Sequence, residues 1–276
     1  MNEPRITPAD RYDGFYRDFD SPLMRRVRAE AYGEDIGQHS WVTAEELRVD
    51  IQRLKLSRSS RLIDLGCGPC GPLTFVLASV GCTGTGVELS PAALQIGRAR
   101  GASLGIEALL SVHEADLNEP LPFAPHSFDA AMALDVVLHL RERHTLFSTI
   151  AMLLVPGGRI LFTDAGVVNG AISNEEIRMR SLNGYTQFVP PGWNEQLVTS
   201  AGLRLLESED RTSSVLTNAS GRLTALQAHR AELVAASSAL DVERHQEYLE
   251  SVVTLSRRCA LSRMMYLAEV PAPPAA

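Results

Sequence analysis

The sequence predicts an α/β fold built on one seven-stranded, mostly parallel sheet with helices on both faces. From Arg61 onward, short apolar runs alternate with amphipathic stretches, the pattern of right-handed βαβ units. The first apolar run turns through glycines straight into a helix. With 45 % hydrophobic residues in 276, the chain can also bury a core on both faces of such a sheet.

Ahead of the sheet, Ser21-Pro22 reads as an N-cap and N1 proline for a helix reaching about Ala31, ended by Gly33. Thr43-Ala-Glu-Glu46 is a capping box for a second helix through about Leu54, with Leu47, Ile51 and Leu54 at helical spacing. The runs RLIDL, GTGVEL, ALLSVHEAD, FDAAMALD and RILFTD give five strands, separated by the glycine loop and its helix, a helix from Pro91 and a helix over 141–154. After Asp164, helical stretches near 173–182 and 193–200 lead to a sixth strand, GLRLLES, a helical insertion over about 213–257 and a last strand over 261–270. The expected division is an N-terminal helical lid, 1–56, and a sheet domain, 57–276, whose insertions near 170–200 and 213–257 close over an acceptor. In such sheets ligands bind at the carboxyl ends of the strands.

A net charge of −7, with no long Lys/Arg run, argues against an electrostatic grip on nucleic acid and for a small-molecule partner. No segment approaches the roughly 18 consecutive apolar residues of a membrane span. The charged opening lacks the apolar run of a secretory signal. Four cysteines are too few for a disulfide scaffold in a chain this long. A soluble, cytoplasmic monomer or homodimer without membrane or nucleic-acid partners is expected.

Residues 62–72 read Leu-Ile-Asp-Leu-Gly-Cys-Gly-Pro-Cys-Gly-Pro, an apolar strand ending in a carboxylate and turning through glycines. Gly66, Gly68 and Gly71 spell G-x-G-x-x-G, which alone also fits a nicotinamide cofactor. Acids at three successive strand ends separate the readings. Asp64 stands where amino and carboxyl groups of a cofactor would lie, Glu88 where a ribose diol needs an acceptor, and Asp116 where an adenine amino group can donate. Such a set suits a cofactor carrying an ammonium, a diol and an adenine, and suits a pyrophosphate poorly. One strand-ending acid is ordinarily a helix cap or a solvated charge; three in register are not. Cys67-x-x-Cys70 has the spacing of a redox or zinc pair, but with no second cysteine pair it reads as packing.

Over residues 60–164 the chain resembles the class I S-adenosylmethionine-dependent methyltransferases, which are Rossmann-like. The resemblance rests on DLGCG at 64–68, GVELS at 86–90, EADL at 114–117, FD at 128–129 and LLVPGGRILFTD at 153–164. It implies S-adenosylmethionine as methyl donor, contacted by Asp64, Gly66, Cys67, Gly68, Glu88, Leu89, Asp116, Leu117 and Leu134, with Asp135 at the edge of the active site. Gln38 and Trp41 lie in the loop that closes over the cofactor in these relatives. Where the usual motif has its third glycine, this chain has Cys70.

In-line methyl transfer needs an aligned acceptor, exclusion of water and, where required, a base. Asp135 and His139 follow the fourth strand four residues apart, which would set both on one face of a helical turn. There imidazole would take a proton and the carboxylate would hold an ammonium acceptor. The stretch Leu-Asp-Val-Val-Leu-His-Leu, with Tyr-Gly-Glu-Asp at 32–35 and the long insertion, resembles small-molecule N-methyltransferases of the phosphoethanolamine and glycine/sarcosine types. That resemblance implies Asp135 and His139 in the active site and a tyrosine from the N-terminal segment beside the histidine, Tyr16 or Tyr12. Tyr185 and Trp193 are candidates to line the acceptor pocket. His113, His126, His144, His229 and His245 have no metal-ligand spacing, and no metal is expected. Methyl transfer to an amine nitrogen is therefore expected. The alternatives are O- or C-methylation of a secondary metabolite, a NAD(P)-dependent oxidoreductase, and a noncatalytic cofactor-binding module.

Overall fold

The computed structural model describes residues 8–181 and 185–272. Three helices precede the sheet: α1 (Pro8–Tyr16), α2 (Pro22–Tyr32) and α3 (Ala44–Arg53). The alternating part follows with β1 (Arg61–Leu65), α4 (Gly71–Val80), β2 (Thr83–Glu88), α5 (Pro91–Ser103), β3 (Leu110–Glu114) and β4 (Phe128–Leu134). Next come α6 (Arg143–Leu153), β5 (Leu154–Val168), α7 (Asn174–Arg180), α8 (Trp193–Ser200) and β6 (Arg204–Asp210). Helices α9 (Thr212–Ala228), α10 (Arg230–Ala236) and α11 (Ala239–Arg257) then cross over the top, and β7 (Leu261–Glu269) returns to the sheet.

The seven strands run in the order β3-β2-β1-β4-β5-β7-β6, with β7 antiparallel to both its neighbours. Strand side chains alternate between faces. Ile63, Leu65, Ala131, Ala133, Ile160, Phe162 and Tyr266 pack on one side with Leu146, Phe147 and Ile150 of α6. Leu62, Ala130, Met132, Leu134, Leu161, Met265 and Leu267 pack on the other with Leu47, Leu73, Leu77 and Leu94 from α3, α4 and α5. A strand sandwiched in this way is apolar at every position, which is why β1 and β4 read as continuous runs.

The capping signals perform as expected. Ser21 Oγ accepts from Met24 N at 3.2 Å, and Thr43 and Glu46 bond each other's backbone in a complete capping box. Several elements differ from the sequence expectation. Helix α1 was not foreseen, although Tyr12, Phe15 and Tyr16 recur at helical spacing; Tyr16 packs with Ala93, and Asp13 Oδ1 accepts from Ser90 Oγ and Ala92 N at the start of α5. Strand β5 continues past Asp164 to Val168 because Val168 N finds the Val189 carbonyl. The insertion divides into three helices, broken at His229 and around Ser237. The stretch expected near 173–182 ends as helix at Arg180, and residue 182 lies outside the described residues.

The N-terminal helices are tied to the end of β6 by buried charge. Arg211, just after β6, makes two bonds to Asp50 of α3 at 2.6 and 2.7 Å, and both are buried. Removing one partner of such a pair strands the other charge, at about 3–5 kcal/mol. Arg211→Met should lower the unfolding free energy in urea by about that amount, with m unchanged. An unchanged midpoint would mean that Arg53, 3.2 Å from the same carboxylate, compensates alone.

Candidate active site

A cavity of about 870 Å³ opens across the carboxyl ends of the strands. The order of strands along the sheet edge sorts its walls: the ends of β1, β2 and β3 build one side, and those of β4 and β5, with the lid helices, the other.

On the first side the chain leaves β1 through Gly66, at φ +74°, where a Cβ would lie 2.4 Å from Val136 Cγ2. Only glycine fits that turn against the loop after β4. Cys70 occupies the left-handed region at φ 57° and begins α4, doing what a glycine does elsewhere. The Cys67 and Cys70 sulfurs lie 3.5 Å apart, both buried, packed under Gly86 and Gly97 respectively. Glu88 organises the loop: its carboxylate accepts from Gly68 N at 3.1 Å, Leu89 N at 2.9 Å and Ser90 N at 3.0 Å. Burial pushes its pKa up, against the pull of those three donors. Asp116 Oδ1 accepts from the backbone and side chain of Asn118 at 2.9 and 2.8 Å, which fixes its direction at the cavity wall.

Asp64 differs from both. It is 2 % exposed, faces the cavity, and among the described residues takes no hydrogen bond. Burial, and then the charge of Glu88, raise its pKa well above the ordinary carboxylate range. A buried carboxylate without a donor calls for a cationic group from a ligand. An ammonium group supplies one, as the expected cofactor's amino acid end would.

On the second side Asp135 turns at φ 57°. Its Oδ2 accepts from Trp41 N at 2.8 Å, and its Oδ1 from Thr163 Oγ1 and Arg263 Nε, each at 2.8 Å. His139 ends a short 3-10 turn, Val137–His139, and its Nδ1 lies 2.9 Å from the Tyr185 carbonyl. A carbonyl only accepts, so Nδ1 carries the proton and Nε2 is left with its lone pair. Burial lowers the His139 pKa from its ordinary value, which keeps the ring neutral. The Tyr12 ring stands edge-on to His139 at 6.4 Å between centroids. Tyr16 instead packs on the glycine loop, where a Cβ on Gly68 would come within 2.9 Å of its hydroxyl. That hydroxyl is 3.5 Å from His39 Nδ1.

The far wall is cationic. Arg180, 5 % exposed, bonds the Tyr248 hydroxyl at 2.6 Å and the Ala165 carbonyl at 3.4 Å. Arg222 stacks over Trp41 at 5.0 Å and Tyr32 at 5.6 Å. Among the described residues neither guanidinium has a carboxylate within salt-bridge distance. His39 and His245 complete this wall. Burial and then the Arg222 charge lower them to about 3 and about 4, so both are neutral at pH 7 even where a ring edge reaches the open cavity.

Residues 63–162, spanning β1 to most of β5 and both sides of the glycine loop, match the methyltransferase-domain family. Over those residues the chain is similar to a methyltransferase domain. The methyltransferase GfsG of Streptomyces halstedii is 31 % identical over 58 % of this chain and 58 % of its own length. The glycine/sarcosine/dimethylglycine N-methyltransferase of Actinopolyspora halophila is 30 % identical over 64 % of this chain and 31 % of its own. The chain thus spans less than two thirds of the length of either of these relatives. In fold it superimposes on phosphoethanolamine N-methyltransferase 2 of Haemonchus contortus with a TM-score of 0.80 at 19 % identity, over 99 % of this chain and 62 % of that one.

Over that matched stretch, Asp64, Gly66, Cys67, Gly68, Glu88, Leu89, Asp116, Leu117 and Leu134 all line the cavity. Four expectations change, those for Gln38, for the Asp135–His139 pair, for Tyr16 and for Trp193. Gln38 is fully buried and faces the loop instead of the cavity, accepting from Ile36 N at 2.9 Å and donating to the Glu34 carbonyl at 3.3 Å. Trp41 does line the cavity, beneath Arg222. Asp135 and His139 do not share the face of a helical turn: the backbone reverses at Asp135, and its carboxylate is consumed by Trp41, Thr163 and Arg263. Tyr12, not Tyr16, meets His139. Trp193 is exposed and away from the cavity lining, whereas Tyr185 is part of it. The residues not singled out beforehand are Arg180, Arg222, His245 and Tyr248. Arg222 falls on the buried stripe of Val215, Ala219 and Leu226, and His245 on that of Val242, Leu249 and Val252, so a charge on an apolar stripe was the available signal. Among the described residues no cluster could hold a metal ion, and no helix is long and apolar enough to cross a membrane.

Because Asp64 holds its proton unusually tightly when alone, pairing it with an ammonium should expel that proton. Between the ordinary carboxylate range and the raised value, S-adenosylhomocysteine binding should therefore strengthen as pH rises. Calorimetry in buffers of different ionisation enthalpy should show a released proton that Asp64→Asn abolishes. An identical proton count in the variant would place the ammonium elsewhere.

Proposed function

We propose that the chain is an S-adenosylmethionine-dependent methyltransferase of a small amine that carries an oxyanion, a carboxylate or a phosphate. One observation carries the reading: a single cavity is lined by the unpaired acid Asp64, by the guanidinium groups of Arg180 and Arg222, which have no carboxylate partner among the described residues, and by His139, whose Nε2 keeps its lone pair. The bound cofactor supplies a methyl group on a sulfonium, a centre that a nucleophile displaces in line.

The chain's own residues do the rest. Asp64 pairs with the cofactor's ammonium, and Glu88, with the Gly68 loop it orders, lies where the ribose diol needs acceptors. Asp116 faces the adenine. Arg180 and Arg222 bind the acceptor's oxyanion, which replaces the counterion they lack, since a guanidinium buried without one is costly. His139 Nε2 takes the proton that the nitrogen sheds as it gains a methyl. Asp135, its oxygens engaged, acts on the site by fixing Trp41. The helices 1–56 and the insertions near 170–200 and 213–257 serve as the lid that excludes water. Support for the amine comes from the Actinopolyspora relative, an N-methyltransferase by name. A neutral His139 would equally accept a proton from a hydroxyl, so O-methylation is the second reading. The free cysteines fit a cytoplasmic enzyme, working as a monomer or homodimer.

Release of S-adenosylhomocysteine over matched acceptors, each amine or alcohol offered with and without a carboxylate or phosphate, tests this directly. The charged amines should turn over, their neutral partners at least 10²-fold more slowly. Methylated phenols or alcohols alone would shift the acceptor atom to oxygen, and equal rates for charged and neutral partners would remove the oxyanion. His139→Ala should lower kcat by about 10²–10⁴ with cofactor affinity retained. Unchanged turnover would exclude it as proton acceptor.

A further inference from the structure

Arg143 opens α6, four residues after His139, and is buried with Asp164 and Asn194. Its Nη1 donates to Asp164 Oδ2 and, at 2.9 Å, to Asn194 Oδ1. Asn194 Nδ2 donates to the same carboxylate at 2.8 Å, and Asp164 Oδ1 accepts from Gly166 N at 2.8 Å. The remaining nitrogen, Arg143 Nη2, donates to the Gln187 carbonyl at 2.6 Å.

For the fold this cluster is a poor arrangement. A cation in the first turn opposes the helix dipole, a buried ion pair is seldom more stable than an apolar pair of its volume, and Arg143 Nε is buried without a partner. What the cluster does hold is the segment ahead of α8. Gln187 N donates to the Leu138 carbonyl at 2.7 Å, and Val189 N to Gly166 at 3.0 Å. Two residues before Gln187 stands Tyr185, whose carbonyl takes the Nδ1 proton of His139.

We infer that Arg143, with Asp164 and Asn194, is a positioning device for His139: by anchoring the 185–189 segment it holds the Tyr185 carbonyl where it selects the Nδ1–H tautomer and leaves Nε2 open to the cavity. Arg143 touches neither cofactor nor acceptor and acts through a backbone carbonyl. This role rests on His139 being the proton acceptor, as proposed above. A point charge cannot replace it, because the guanidinium fork meets a carboxylate, an amide and a carbonyl at once.

The test is 15N NMR of the full chain labelled at histidine and saturated with S-adenosylhomocysteine. Imidazole nitrogen shifts distinguish the two tautomers. The wild type should show His139 in the Nδ1–H form. Arg143→Met, close in volume, should give a tautomer mixture with S-adenosylhomocysteine affinity within about twofold, and Arg143→Lys an intermediate spectrum. On an acceptor found in the panel above, Arg143→Met should lower kcat at least tenfold with little change in KM. A folded Arg143→Met chain that keeps the pure Nδ1–H form overturns the proposal, whatever its turnover. Should that variant not fold, Asn194→Ala removes one arm of the cluster; a wild-type spectrum there overturns it equally. Failure of every acceptor would count against the methyltransferase reading alone, since the tautomer is read without turnover.

Discussion

The site hangs on one buried cation. Arg263, 1 % exposed in the middle of β7, reaches Asp135 at the end of β4, Glu46 in α3 at 3.0 Å, and Thr163 in β5 at 3.4 Å. Three charges taken out of water in this way contribute little net stability, and deletion of any one leaves the others uncompensated. Their arrangement explains the shape of the loop after β4. Asp135 sits in a left-handed conformation that costs a non-glycine residue roughly 1–3 kcal/mol, tolerated where the surroundings over-determine it. Its second oxygen grips Trp41 N, and the Trp41 carbonyl accepts from Asn218 of α9 at 2.6 Å. The last strand, the fourth strand, the entry loop and the lid insertion are thereby tied at a single point.

Around that point the cavity is electrically polarised. Asp64, Glu88 and Asp116 gather at the ends of β1, β2 and β3, while Arg180 and Arg222 reach the cavity from α7 and α9. The separation follows from topology, since the strand order puts the first three strands on one flank and the insertions on the other. Three histidines stand on the basic side, and burial keeps them neutral, so they add hydrogen-bonding capacity without more positive charge.

Legibility followed the range of the interactions. The glycine loop, the strand-end acids and the capping boxes are local, each settled by residues within a few positions of one another, and the sequence was a sufficient guide to them. Asp135 lines the cavity but was given a free carboxylate, because its partners Thr163 and Arg263 lie 28 and 128 positions away. Gln38 is an exception, misplaced although its partners are local: its amide satisfies the backbone of its own loop. Helix α1 escaped notice because its stabilising bond, Asp13 to the start of α5, spans 77 residues. The basic wall was visible only as two polar residues on otherwise apolar helical stripes, a pattern that marks burial without saying toward what.

The cavity's walls come from opposite ends of the chain: Tyr12 and Tyr16 from α1, His245 and Tyr248 from α11, and Arg263, which anchors their surroundings, from the final strand. Residues 61–168 can assemble their five strands from neighbouring segments, but the pocket needs contacts across more than two hundred residues, and such non-local closures form late. On the ribosome, the half that carries the glycine loop can be built while the half that carries Arg222, His245 and Arg263 has yet to be synthesised. The chain thus passes through a stage in which the glycine loop exists without a roof, and a ligand that binds there before β7 arrives would act as a template for the remainder of the fold.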